Sequence, residues 1–368
     1  MRPFEFNLPS YDGAGGLTPE QRNAVECERA MFSGVPGTGK TTVAIWRLIK
    51  GNDDLLLTYT RLLSAALSIL ASGKWVLGVD QWYYQKCNKA WLKDDIRDNC
   101  VLNRLRENDV SLGRVIIDEG QDIDIQFYRA IKDIATRVSV GADDAQRLYD
   151  VNIDRNALRE VFPENQQRAL TQNFRNLYKI YNFSRQFVPE NPEAHEEHML
   201  NRLEQRSPGG FVDIRVVNSS AAINQLIKSI IKDRGDGNIG ILLSETNDVD
   251  KYSDILDELD IKHSVYHSKL DWRVKRDTEK NLMSILVTTY KSAKGLEFDT
   301  VILPEFQDAN SRNNNQYYVG CTRAKQYLYL LCVSSIPNIL KGFDESTYTL
   351  HSNNVANNDN SSDPDLPF

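Results

Sequence analysis

The chain has 368 residues, 41% hydrophobic and 26% charged, with a mean hydropathy of -0.47, which suits two soluble α/β domains and a short tail. No run of about 18 apolar residues is present, and residues 1–10 lack an apolar leader core, so a cytoplasmic location is the default expectation. With 44 basic against 51 acidic residues the net charge is -7. The molecule as a whole therefore repels a polyanion, and a nucleic-acid site has to be a local groove.

Cys27, Cys87, Cys100, Cys321 and Cys332 stand far apart and form no CxxC pair, which argues against a disulfide framework and against a zinc site. The pair His195 and His198 does not have HExxH spacing either, and its acidic, Pro-rich surroundings read as a solvated segment.

From residue 17 onward, short apolar runs alternate with helical stretches. The runs 30–33, 54–58, 75–79, 114–117 and 137–141 predict buried strands. A second series predicts strands at 211–217, 239–243, 284–288, 300–303 and 327–333, with helices at 221–233 and 249–259. Such alternation predicts an α/β fold with parallel sheets. The expected division is 1–160, 161–342 and a tail over 343–368, where Asn, Ser and Asp dominate and disorder is expected.

Residues 34–42 read GVPGTGKTT between a strand-like run and a helical one, a full match to the phosphate-binding loop. Glycines let the backbone turn and present N–H groups to phosphate oxygens. A lysine there neutralises β- and γ-phosphate charge, and the following hydroxyl holds Mg²⁺. The candidate cradle is Gly34, Pro36, Gly37, Thr38, Gly39, Lys40, Thr41 and Thr42. At 114–122, RVIIDEGQD sets two acids at the carboxyl end of an apolar strand, the edge where open α/β sheets take ligands. Asp118 then holds Mg²⁺ together with Thr41, and Glu119 orients or deprotonates the attacking water. ATP and Mg²⁺ are the implied cofactors.

With these residues in place, the chain resembles the UvrD/Rep-like superfamily 1 helicases, and further motifs follow in order. LTPEQ at 17–21 looks like the family's Q motif, which implies that Gln21 reads the adenine edge. LLLTYTRLLSAAL at 55–67 resembles the next segment. ADDAQRLYD at 142–150 is similar to GDxxQ, with Ala142 for the usual glycine, and implies Gln146 as a γ-phosphate sensor. LTQNFRN at 170–176 is similar to QNYR and implies Arg175 facing the γ-phosphate. TTYKSAKGLEFDTVIL at 288–303 is close to HSAKGLEF, with Lys291 for histidine, and brings Gly295 and Glu297 into the nucleotide set. YYVGCTRAKQYLYL at 317–330 implies Arg323 as the second arginine. The resemblance thus implies two RecA-like domains with an ATP cleft between them and two guanidiniums stabilising charge on the transferring phosphoryl group.

Only 78 positions separate Lys40 from Asp118 and 120 separate Arg175 from Gly295, leaving no room for the long inserted subdomains of larger relatives. Processive unwinding is therefore in doubt, whereas ATP hydrolysis and translocation on single-stranded DNA fit. Strand contacts need cations and flat side chains. Tyr59 and Trp82 fall where the family places strand-contacting loops; for Trp82 a core position beneath a helix is the alternative. The patch 271–276, with Trp272 among basic residues, reads equally well as a solvated helix face.

Two functions compete. One is an ATP-driven translocase; the other is a nucleotide-gated sensor or regulatory subunit that switches a partner effector such as a nuclease. A P-loop kinase would not need Arg175 and Arg323 in these motifs. Finally, residues 359–368 resemble the tip of bacterial single-stranded-DNA-binding proteins, with Leu366, Pro367 and Phe368 as the signal. Proteins that recognise that tip are the implied partners; an acidic solubilising tail is the other reading.

Overall fold

The computed structural model describes residues 2–71, 73–143, 155–188, 196–308 and 314–352. Among these, six strands form a first sheet: β1 (Ala30–Ser33), β2 (Leu55–Thr58), β3 (Trp75–Gly78), β4 (Leu112–Ile117), β5 (Ala135–Ala142) and β6 (Gln166–Ala169). Their order is β3-β2-β4-β5-β1-β6, and every pairing is parallel. A second parallel sheet holds β7 (Phe211–Val217), β8 (Ile239–Leu243), β9 (Ser264–Tyr266), β10 (Ile285–Thr289), β11 (Phe298–Leu303), β12 (Ala324–Val333) and β13 (Thr349–Ser352). Its order is β13-β7-β12-β11-β8-β10-β9.

The central strands are apolar throughout because helices cover both faces of a parallel sheet. All residues of β2, β8 and β10 are buried accordingly. The covering helices carry apolar stripes. In Lys40–Ile49, for example, Val43, Ala44, Ile45 and Leu48 point into the core. No helix among the described residues is long and apolar enough to cross a membrane.

All ten sequence-predicted strands are present, with ends shifted by up to three residues. Three strands were not foreseen. β6 pairs with β1 from Ala30↔Gln166 to Ser33↔Ala169, so the first sheet runs past the expected boundary at 160/161. The start of the chain crosses the other way: Pro3 bridges Met283, and Phe4 is buried in the core beside Phe298.

The tail expectation also needs correction over 343–352. Phe343 and Tyr348 pack against Phe183 at ring-centroid distances of 5.5 and 5.9 Å, and β13 pairs with β7. Two aromatic anchors and an open sheet edge are enough to fix a segment whose composition is otherwise polar. Leu366, Pro367 and Phe368 lie outside the described residues.

One apolar core joins the two domains. Leu63 and Leu67 of the first domain belong to the same buried cluster as Leu296, Phe298 and Leu328 of the second. The carboxyl edge of the first sheet thus faces the second domain at close range.

Candidate functional site

The phosphate-binding loop leaves β1 and enters the helix Lys40–Ile49. Gly37 and Gly39 have φ of +81° and +88°, a region that favours glycine. A Cβ on Gly37 would lie 2.4 Å from Asn173 Oδ1, and one on Gly39 the same distance from Gln21 Nε2. A Cβ on Gly34 would meet the Leu170 carbonyl at 2.4 Å. The loop is held from outside as well, since Asn173 Nδ2 donates to the Pro36 carbonyl at 2.9 Å. Thr38 is buried, and Thr42 lines the cavity described below.

Lys40 Nζ donates to the carbonyls of Gly34 (2.6 Å) and Val35 (3.2 Å) and pairs with Asp143 Oδ2 at 3.1 Å. Thr41 Oγ1 donates to Asp118 Oδ2 at 2.7 Å. Asp118 is fully buried, and its other oxygen, Oδ1, has no hydrogen-bond partner. An orphaned carboxylate oxygen beside a hydroxyl is the donor set a hard, oxygen-seeking cation requires. Burial, and then the charge of Glu119, push the Asp118 carboxyl up to about 6. These residues therefore fit Mg²⁺, which Thr41 and Asp118 would hold.

Glu119 sits at φ +56° at the turn after β4. Gln121 Nε2 donates to Glu119 Oε2 at 2.7 Å, and Gln121 Oε1 accepts from the Asp143 N–H at 2.9 Å. Burial works to raise Glu119, but Lys294 foremost, followed by Lys40 and Arg323, holds its carboxyl down to about 2.

The second domain brings the cations. Lys294 is fully buried, lies 3.6 Å from Glu119 Oε2 and contacts Asp122 directly. The next residue, Gly295, has φ +84°, and a Cβ there would sit 2.4 Å from Leu63 Cδ2 of the first domain. Arg175 Nε pairs with Glu297 Oε1 at 2.7 Å. Burial would raise Glu297, yet Arg175, Lys325 and Arg323 together outweigh it and keep that carboxyl below its ordinary value. Arg323 is buried and donates to the Val319 carbonyl at 3.0 Å. Burial and the like charge of Arg175 bring its guanidinium down to about 10, so it stays protonated at neutral pH.

Between the domains lies a cavity of about 290 Å³ lined by Gln21, Gly37, Gly39 and Thr42 on one side and by Phe174, Arg175, Glu297 and Lys325 on the other. Phe174 is exposed there, under the Arg206 guanidinium at 4.5 Å. An aromatic face at the mouth of a phosphate site can take a flat ring.

The sequence-predicted set thus converges, apart from four residues. Gln146 lies outside the described residues. Gln21 is turned towards the protein: Nε2 donates to the Thr38 carbonyl at 3.0 Å, and Oε1 accepts from Thr18 N–H in a capping box. It braces the loop at the cavity wall. Trp82 is 1% exposed and packs edge-on to Phe127 at 6.0 Å, so no ring face is left for a base and the stacking reading is corrected. Tyr59 is half-buried just beyond β2. Missed from the sequence were Lys294, Asp122, Gln121, Asp143 and Phe174. Each of the five carried a signal, since all lie inside motifs already singled out, but none of the motifs says which partner its side chain meets.

The order of the strands, the loop after β1 and the acids after β4 are those of a RecA-like nucleotide-binding domain, here facing a second domain of the same build. Residues 237–335 match the model of the UvrD-like helicase C-terminal domain. That segment of the second domain is UvrD-like. Over the whole molecule the fold is similar to that of Saccharomyces cerevisiae Dbp5 bound to RNA and ADP BeF3, with 12% identity, a TM-score of 0.50, and 92% of this chain and 94% of that one covered. The C-terminal domain of a possible DNA helicase from Lactobacillus plantarum aligns at 21% identity over 48% of this chain and 98% of its own, with a TM-score of 0.35. No curated protein matches. Over its whole length the chain has a two-sheet, RecA-like α/β fold.

Proposed function

We propose that this protein is an ATP-hydrolysing, superfamily 1-type motor that binds single-stranded DNA and couples Mg²⁺-dependent hydrolysis to translocation or limited unwinding. One observation carries the reading: across a single cleft, Lys40, Thr41, Asp118 and Glu119 of the first domain face Lys294, Arg175 and Arg323 of the second. Bound Mg²⁺ would supply charge neutralisation between the β- and γ-phosphates.

Lys40 releases Asp143 to meet phosphate oxygens, and the two arginines meet the charge that develops on the transferring group. Glu119, held at about 2, is a weak proton acceptor near neutral pH. Its role is to orient the attacking water through its carboxylate, with Gln121 fixing its direction. Because the arginines and Lys294 arrive only with the second domain, turnover depends on closure. Tyr59, beside the interdomain contact of Thr60 Oγ1 with the Lys294 carbonyl (3.2 Å), is the proposed strand contact.

A second reading, a nucleotide-gated switch acting on a partner effector, is favoured by the carboxyl edge of the second sheet. That edge opens into a cavity of about 630 Å³ lined by Glu245, Asp248, Glu305 and Asp308, which would repel a phosphodiester backbone. A translocase needs both domains to grip the strand in turn. ATPase rate against strands of graded length separates the two readings: a translocase gains from longer strands, a switch saturates once its site is filled. No stimulation by any single strand refutes both.

A further inference from the structure

We propose that residues 2–11 form a strap that completes the nucleotide pocket and ties its occupancy to closure of the two domains; the proposal rests on the ATP-binding reading above.

One end of the strap is fastened to the second domain. The Phe4 N–H donates to the Leu282 carbonyl at 2.8 Å, and the Ser284 N–H donates to the Arg2 carbonyl at 3.1 Å. Pro3 and Met283 therefore face each other as a non-hydrogen-bonded antiparallel pair. Phe4 is buried, 5.8 Å from Phe298 and edge-on. Asn238 caps the strap through two bonds, accepting from the Glu5 N–H at 3.3 Å and donating to its carbonyl at 2.7 Å.

The other end is fastened to the helix that begins at Lys40. Trp46 Nε1 donates to the Pro9 carbonyl at 3.0 Å, Tyr11 packs on Trp46 at 5.3 Å, and the Lys50 ammonium sits 3.8 Å over the Tyr11 ring. Between the anchors, Asn7 and Pro9 form part of the wall of the nucleotide cavity, opposite Arg175 and Glu297. The strap thus crosses the cavity mouth with one anchor on each domain.

Five chain steps from Phe4 to Pro9 span at most about 18 Å when extended. The Phe4 and Pro9 anchor points cannot part beyond that reach without one of them tearing. A nucleotide entering the cavity meets a wall already positioned, so ordering that segment is not charged to binding. Loosening the second-domain anchor should weaken nucleotide affinity, while the chemical step at saturation keeps its arginines and lysine.

The test uses the full chain, with a fluorescent, slowly hydrolysed ATP analogue for affinity and energy transfer between one dye on each domain for closure. Phe4→Ala should weaken the analogue about tenfold or more and broaden the interdomain distance without nucleotide, with turnover at saturation within about twofold. Adding Pro3→Cys and Met283→Cys to that variant places the two thiols at a pair whose ordinary Cα separation, about 4.5 Å, admits a disulfide. Oxidation should restore affinity and the narrow distance, and reduction should remove both. This reversal within one folded molecule separates the strap from general instability. Phe4→Ala binding within twofold of the parent, or no rescue on oxidation, overturns the strap alone. A parent chain that binds no nucleotide overturns the strap together with the ATP site.

Discussion

Lys294 offers the sharpest test of the closed cleft. It comes from the second domain, is fully buried, and serves two carboxylates of the first, Glu119 at 3.6 Å and Asp122 in direct contact. At an effective dielectric of about 20, one charge pair at that separation interacts by about 4–5 kcal/mol. Removing one partner of a buried pair costs about 3–5 kcal/mol, because the remaining charge stays desolvated. In Lys294→Met the two acids can recover water by opening the cleft, so the cost falls on closure more than on the folding of either domain. About 3 kcal/mol shifts that equilibrium more than a hundredfold. The expected result is a more open distance distribution by energy transfer between the domains and ATP turnover reduced by two orders of magnitude, with circular dichroism at 25 °C unchanged. The Glu119 carboxyl should also rise, since Lys294 is the first of the charges holding it down. Unchanged closure with turnover within threefold of the parent would refute the reasoning.

Lys40→Ala or Glu119→Gln should lower ATP hydrolysis by two or more orders of magnitude, the Glu119 variant still binding the analogue; wild-type turnover in either removes the motor reading. Arg175→Ala and Arg323→Ala should depress turnover far more than nucleotide affinity, because their contacts matter most as phosphoryl charge develops; a raised Michaelis constant with unchanged turnover would contradict this. The buried acids titrate in opposite senses. Asp118, raised from 3.8 to about 6, loses stability as pH rises through that window; Glu119, lowered from 4.5 to about 2, contributes stability that is lost only as pH falls below 4.5. Mg²⁺ should therefore raise the melting temperature at pH 7, where Asp118 is a buried carboxylate with one oxygen lacking a hydrogen bond, and much less at pH 4.5, where it is protonated. Equal shifts at both pH values would place the ion elsewhere.

The sequence by itself determined the parallel α/β build, the ten strands with strong apolar runs and the phosphate loop, because each rests on local pattern: buried strands are continuously hydrophobic, and a glycine turn before a helix is legible wherever it occurs. β6, β9 and β13 escaped it. β6 is polar and mostly exposed, β9 spans only three residues, and β13 is exposed throughout, since edge strands need little apolar surface and so leave little pattern. That oversight displaced the domain boundary and gave the tail ten residues too many. Trp82 shows the same limit from the other side, for an aromatic run reads alike whether its ring faces Phe127 or a base. What only the tertiary structure decided is pairing across distance. Lys294 meets Asp122 from 172 positions away, Asn173 braces a loop 137 positions away, and the strap at Pro3 lies against Met283. No local period encodes such contacts; they exist because two domains with one shared core set those side chains face to face.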